Sequence, residues 1–277
     1  MIVNLDGRFI PADEAGLPLN DGAVLFGDTL FETIKVHNGK ALLADAHLDR
    51  LVLSAALLDF PCDRDAVRAA LLQTSARCPR PTARLRLTLS RGICTGLQTP
   101  PAQNARVIIT ATRYREPDEA QRTAGAVCVF APNRRVNPLC HLPQMKRGNY
   151  ADCLYAARHA ATKGAREALF LDADGCVLEG ATSNLFIIEN KSLVTPEAGE
   201  LVLAGIMRRQ VLQTATNLGL RIEERPISKQ ALLQADEAFL TNALIGILPI
   251  DRVGNTPLKR GPLALKLLHS LDKSNVL

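Results

Sequence analysis

Hydrophobic and polar positions follow two periods along this chain, and the switches between them mark its elements. "VNLDGRFI" predicts two short strands about Asp6-Gly7, and "GDTLFETIKVHNGKAL" a strand pair turning at Asn38-Gly39. "ARLRLTLSRG" alternates strictly: Leu85, Leu87 and Leu89 point one way, Arg84, Arg86, Thr88 and Ser90 the other. "ARVIITATRY" and "AVCVFAP" are further strands. "LADAHLDRLVLSAALLDF", with Asp45 as its cap, and "RDAVRAALLQTSARC" have helical periodicity. In the second half, "NYADCLYAARHAATKG" and "AGIMRRQVLQTATNLGL" are helices, the latter starting after Gly205. "EALFLDADGCVLEGATSNLFIIENKSLVTP" breaks into strands at turns around Asp174-Gly175 and Asn190-Lys191. "DEAFLTNALIGILPI" is a strand, a polar turn and a second apolar segment.

Strands and helices mix in both halves, which makes the class α/β (α+β). The polar, turn-rich "REPDEAQRTAG" divides the chain. The expected organisation is an N-terminal α/β domain over 1–117, a linker over 118–124 and a C-terminal α/β domain over 125–277.

Composition narrows the function classes. With 277 residues, 47% of them hydrophobic, the chain can bury two cores rather than one. Its +5 net charge comes from scattered Lys and Arg with no basic run, unlike a nucleic-acid binder. Seven cysteines without a CxxC pair or metal-ligand spacing suggest buried thiols in a reducing compartment. No run approaches the roughly 20 apolar residues of a membrane helix, and "MIVNLDGRFI" lacks a signal-peptide core. A cytoplasmic protein is expected.

Several residues have an ordinary reading and a chemical one. Lys146, in the loop-like "LPQMKRGNY", is a solvated cation or an amine placed to form a Schiff base with a carbonyl cofactor. Glu179, at a strand end, is a turn carboxylate or the partner of a buried cation such as a protonated pyridine. Gly205 precedes a helix whose first N–H groups suit an anion, and "TNALIG" supplies another polar turn. Arg50, one helical turn after His47, is a surface arginine or a phosphate ligand. Arg84 and Arg86 lie on a solvated strand face or line a cleft that holds carboxylates. Together these groups suit pyridoxal phosphate, which needs a lysine, an acid for its ring nitrogen and a phosphate cup.

On "LFGDTLFETIKVHNGK", "AHLDRL", "LTLSRG", "MKRGNY", "EALFLDADGCVLEGATSNLF", "LAGIMRRQVL" and "DEAFLTNALIGILPI", the chain resembles the fold type IV pyridoxal-phosphate enzymes, the class IV aminotransferase family. The resemblance implies two α/β domains with the cofactor between them, and a homodimer. It implies Lys146 as the Schiff-base lysine, Glu179 on the pyridine nitrogen and Arg50 on the phosphate. Ile206 and Met207 would hold the phosphate at the helix start, with Asn242, Ala243 and Leu244 in a second phosphate loop. Substrate contacts fall to Arg86, Arg84 and Phe31. Within the family, "TNALIG" and Thr33, which matches a lyase threonine handling a proton, are most like aminodeoxychorismate lyases. The loop "ICTGLQTPPAQ" lacks the Arg and His of D-amino acid aminotransferases and the Arg-Gly-Tyr of many lyases. The implied reaction is lysis of 4-amino-4-deoxychorismate to 4-aminobenzoate and pyruvate, in folate synthesis. The alternative is transamination of D-amino or branched-chain amino acids.

Overall fold

A computed structural model describes residues 1–273. They form two compact units: Met1–Glu116 with Met145–Tyr150, and Pro117–Gln144 with the chain from Ala151 onward. No helix among the described residues is long and apolar enough to cross a membrane.

The first unit contains β1 (Ile2–Leu5), β2 (Arg8–Ile10), α1 (Gly22–Leu25), β3 (Thr29–His37), β4 (Lys40–Ala41), α2 (Ala44–Leu57), α3 (Arg64–Ala76), β5 (Thr82–Ser90) and β6 (Arg106–Arg113). Its six-stranded sheet runs β2-β1-β6-β5-β3-β4, with antiparallel pairing throughout. Alternation decides what each face does. Leu30, Ile34 and Val36 of β3 and Leu85, Leu87 and Leu89 of β5 form one core with Leu48 and Leu51 of α2 and Leu71 of α3. The opposite face carries Phe31 and Thr33, with Arg84 and Arg86 across the ladder. Asp63 caps α3, but the expected Asp45 cap of α2 is not seen. Leu43 holds that N-cap position in a left-handed conformation, and Asp45 lies in the first turn paired to Arg68.

The second unit contains α4 (Glu119–Ala124), β7 (Ala126–Phe130), α5 (Ala151–Thr162), β8 (Glu167–Leu171), β9 (Cys176–Gly180), β10 (Asn184–Glu189), β11 (Ser192–Thr195), α6 (Ile206–Asn217), β12 (Arg221–Glu224), β13 (Ile227–Ser228), α7 (Lys229–Gln234), β14 (Glu237–Asn242), β15 (Gly246–Val253), β16 (Thr256–Pro257) and α8 (Leu263–Lys273). Its sheet runs β12-β11-β10-β14-β15-β7-β8-β9-β13, with β16 on β15. β9 also pairs β10 through Glu179 and Asn184, so the path closes on itself at that point. Phe186 and Phe239, fully buried, stack with ring centroids 5.1 Å apart; burying each ring contributes about 1.5–3 kcal/mol. The segment expected as a linker is helical. Asp118 and Gln121 form a capping box that starts α4, so polar side chains there close a helix end instead of marking free chain.

Candidate active site

In the first unit the site begins with a strand-like contact. The Lys146 carbonyl accepts the Phe31 N–H at 2.9 Å, and the Gly148 N–H donates to the Thr29 carbonyl at 2.7 Å. Arg147 bridges Leu30 between these two bonds. A Cβ on Gly148 would lie 1.8 Å from Thr29 Oγ1, so the segment can approach β3 only through glycine. The fastening delivers the Lys146 amine to the polar face of β3, with Nζ 4.7 Å from the centre of the Phe31 ring and 5.7 Å from that of Tyr150. Tyr150 meets Phe31 edge-on at 5.4 Å. The Arg86 guanidinium covers Phe31 at 3.7 Å, and Arg86 stands directly opposite Thr33 in the ladder. Burial, and then the charge of Arg84, lower the proton affinity of Arg86. Arg84 lies further along β5 and is exposed.

Arg50 has a partner that the sequence reading did not name. Glu32 sits on the core side of β3, among leucines, at 1% exposure. Arg50 grips it with two bonds, Nε to Oε1 at 2.7 Å and Nη2 to Oε2 at 2.6 Å, while His47 Nδ1 meets Oε2 at 2.7 Å. Burial pushes the Glu32 carboxyl up, but Arg50 and His47 together outweigh it and hold the group down at about 2. His47 behaves oppositely: its own burial outweighs the pull of Glu32 and lowers its proton affinity, so it stands as a neutral ring. The carboxylate acceptor assigns the ring proton to Nδ1. Arg50 is thus oriented by a buried carboxylate, and its side chain remains 15% exposed.

In the second unit Glu179 ends β9, buried. Its Oε1 accepts from Arg135 Nε at 3.1 Å; its Oε2 accepts from Asn184 Nδ2 and from the Leu203 N–H, both at 3.1 Å. Asn184 also donates to the Leu203 carbonyl at 2.9 Å, tying the strand end to the approach of α6. Gly205 caps α6 without a side-chain bond, and a Cβ there would lie 2.0 Å from Asn184 Oδ1. The helix start at Ile206 and Met207 therefore presents N–H groups that no cap side chain occupies. Asn242, at the end of β14, organises its own turn: Oδ1 accepts from the N–H groups of Leu244 at 2.9 Å and Ile245 at 3.0 Å. Its Nδ2 donates to the Thr182 carbonyl at 3.1 Å. The Leu244 N–H is thereby already engaged, and Ala243 lies between the two residues of this Asx turn.

The structure gathers Lys146, Phe31, Thr33 and Arg86 on one face of the first unit, with Arg50 beneath on the other side of β3. In the second unit Glu179 stands beside the approach to Ile206 and Met207. Glu32, His47, Tyr150, Arg135 and Asn184 were missed from the sequence. Glu32 was the most legible of them, because a carboxylate at a core-facing strand position demands a cation.

The family profile Amino-transferase class IV matches residues 29–253, and the chain belongs to that family. A Methanocaldococcus jannaschii protein assigned as a branched-chain-amino-acid aminotransferase is 30% identical over 255 residues, covering 91% of this chain and 88% of that protein. An aminodeoxychorismate lyase of Bacillus subtilis is 26% identical over 259 residues, covering 91% and 86%. The crystal structure of 4-amino-4-deoxychorismate lyase from Pseudomonas aeruginosa matches with a TM-score of 0.87 at 29% identity, over 99% of this chain and 100% of that one. The protein is a pyridoxal-phosphate-dependent enzyme. Its residues suit the cofactor: a buried carboxylate that accepts from Arg135, Asn184 and the Leu203 N–H, a helix start without a side-chain cap, and a lysine fixed by its own backbone.

Two outcomes follow from the Glu32 cluster. Arg50→Ala leaves a buried carboxylate without its cation, so apo protein should lose about 3–5 kcal/mol in urea unfolding. A loss below about 0.5 kcal/mol would show that Arg50 does not support the fold. The second concerns pH. His47 has a folded-state pKa below its ordinary 6.5, so its contribution is present above 6.5 and is lost as pH falls. Glu32 adds a second loss from 4.5 down to about 2. His47→Gln should therefore flatten the fall in melting temperature between about pH 7 and pH 5. An unchanged slope would remove His47 from this role.

Proposed function

We propose that this enzyme is a 4-amino-4-deoxychorismate lyase, forming 4-aminobenzoate and pyruvate in folate synthesis. The observation that carries the reading is the ladder pair Thr33 and Arg86 on the face that receives Lys146. That face offers an amine, a hydroxyl and a cation at one place, and the substrate carries two carboxylates and an ether oxygen that must leave. Likeness to the two lyases supports the choice.

Pyridoxal phosphate, when bound, supplies an aldehyde for the lysine and a ring that accepts electron density. In this reading Lys146 would hold the cofactor, and its amine, once free, would take the proton from the ring carbon bearing the substrate amine. Glu179 accepts the hydrogen bond of the pyridine N–H. Arg50 and the N–H groups of Ile206 and Met207 would bind phosphate, with the Asn242–Leu244 turn as a second phosphate loop. Arg86 binds a substrate carboxylate over Phe31, and Arg84 adds positive potential from further along the strand. Thr33 donates to the departing enolpyruvyl oxygen. Loss of that group leaves an aromatic ring, which drives the reaction forward. The enzyme is read as a cytoplasmic homodimer. Sedimentation should give twice the 30.0 kDa chain mass; an active monomer would overturn the dimer.

The decisive assay offers purified protein aminodeoxychorismate, then D-alanine or L-leucine with 2-oxoglutarate. Formation of 4-aminobenzoate is expected. Brisk transamination without it would replace the lyase reading by a transaminase that uses the same lysine. Arg86→Leu should raise KM for aminodeoxychorismate roughly ten- to hundredfold with kcat nearly kept, as loss of one charge-assisted bond in uniform binding requires. Thr33→Val should lower kcat and spare KM, since the hydroxyl acts only as the leaving group departs. The reverse pattern would exchange the two roles.

A further inference from the structure

Glu179 does not stand alone. Arg135, buried in the chain between β7 and α5, donates Nε to Glu179 Oε1 at 3.1 Å. The same guanidinium donates Nη1 to Asp152 Oδ2 at 2.7 Å and to Cys153 Sγ at 2.8 Å, and lies 5.5 Å from the centre of the Phe170 ring. Asp152 also accepts the Val136 N–H at 3.3 Å, and its carbonyl accepts Asn133 Nδ2 at 3.1 Å, which pins the segment carrying Arg135 to the first turn of α5. One cation is shared between two carboxylates, and one of them, Glu179, is the group assigned to the cofactor nitrogen.

We infer that Arg135 is a positioning residue that keeps the cofactor's ring nitrogen protonated by making Glu179 the poorer base. The inference rests on the proposed contact of Glu179 with that nitrogen. Two bases, the carboxylate and the pyridine nitrogen, compete for one proton. Arg135 touches the carboxylate side, so its charge stabilises ionised Glu179 more than it destabilises the ring cation beyond it. Without it the proton moves to Glu179, the pair becomes carboxylic acid and neutral pyridine, and the ring accepts electrons less well. Asp152 divides the charge of Arg135 and moderates the effect.

The test is nitrogen-15 NMR of enzyme loaded with cofactor labelled at the ring nitrogen. Wild type and Arg135→Lys should show a protonated ring nitrogen, while Arg135→Gln, which keeps an amide donor without charge, should shift toward unprotonated pyridine. Asp152→Asn leaves Arg135 to Glu179 alone and should keep the ring protonated, which provides a test even if Arg135→Gln does not fold. A protonated ring in Arg135→Gln, or an unprotonated one in Asp152→Asn, overturns the proposal. Glu179→Gln separates the two layers. If it leaves the ring protonated, the contact of Glu179 with the nitrogen is wrong. If it removes the proton while Arg135→Gln does not, only the role of Arg135 falls.

Discussion

The pairing of Lys146 and Gly148 with β3 fixes everything that follows in the first unit. Two backbone bonds fasten a lysine from a distant part of the sequence to a strand whose neighbours are already in register. Because side chains alternate along β3, that register puts Phe31 and Thr33 on the polar face and Leu30, Glu32 and Ile34 in the core. A slip of β3 by one residue would bury Thr33 and expose Glu32. The absent side chain of Gly148 is what permits the approach.

Each unit holds one of its buried carboxylates with arginine, Glu32 in the first and Glu179 in the second, and the two arrangements differ. Glu32 takes two bonds from Arg50 and one from a neutral histidine, so the cluster is electrically balanced and fixes the direction of the guanidinium. Glu179 accepts from Arg135, from Asn184 and from the Leu203 N–H, and Arg135 also bonds Asp152. Glu179 is also the point at which β9 and β10 close the sheet path, so the strand pairing that completes the fold sets the position of the carboxylate.

Much of this was legible in the sequence. Strict alternation in β5 gave its two faces, Asn38-Gly39 gave the β3–β4 turn, and Gly205 marked the start of α6. Lys146, Glu179 and Arg50 stood out through the order and spacing of motifs. What stayed hidden depends on contacts distant in sequence. Arg135 lies 44 positions from Glu179, and nothing local distinguishes it from Arg134 beside it. Asn184 follows Glu179 closely, but its bond to the Leu203 carbonyl exists only once the chain returns from β11. The segment 118–124 misled because Asp, Gln and Thr suit a linker and a capped helix equally well; the capping box decides. Asp45 misled for a related reason: a carboxylate one position inside a helix favours the macrodipole without capping it.

Peptide mass spectrometry after borohydride reduction of the cofactor-loaded protein tests the site most directly. Reduction fixes the phosphopyridoxyl group to whichever amine held it. The label should appear on Lys146 alone. Label on another lysine, or none on the peptide containing Lys146, would show that the β3 fastening delivers this side chain for some other purpose.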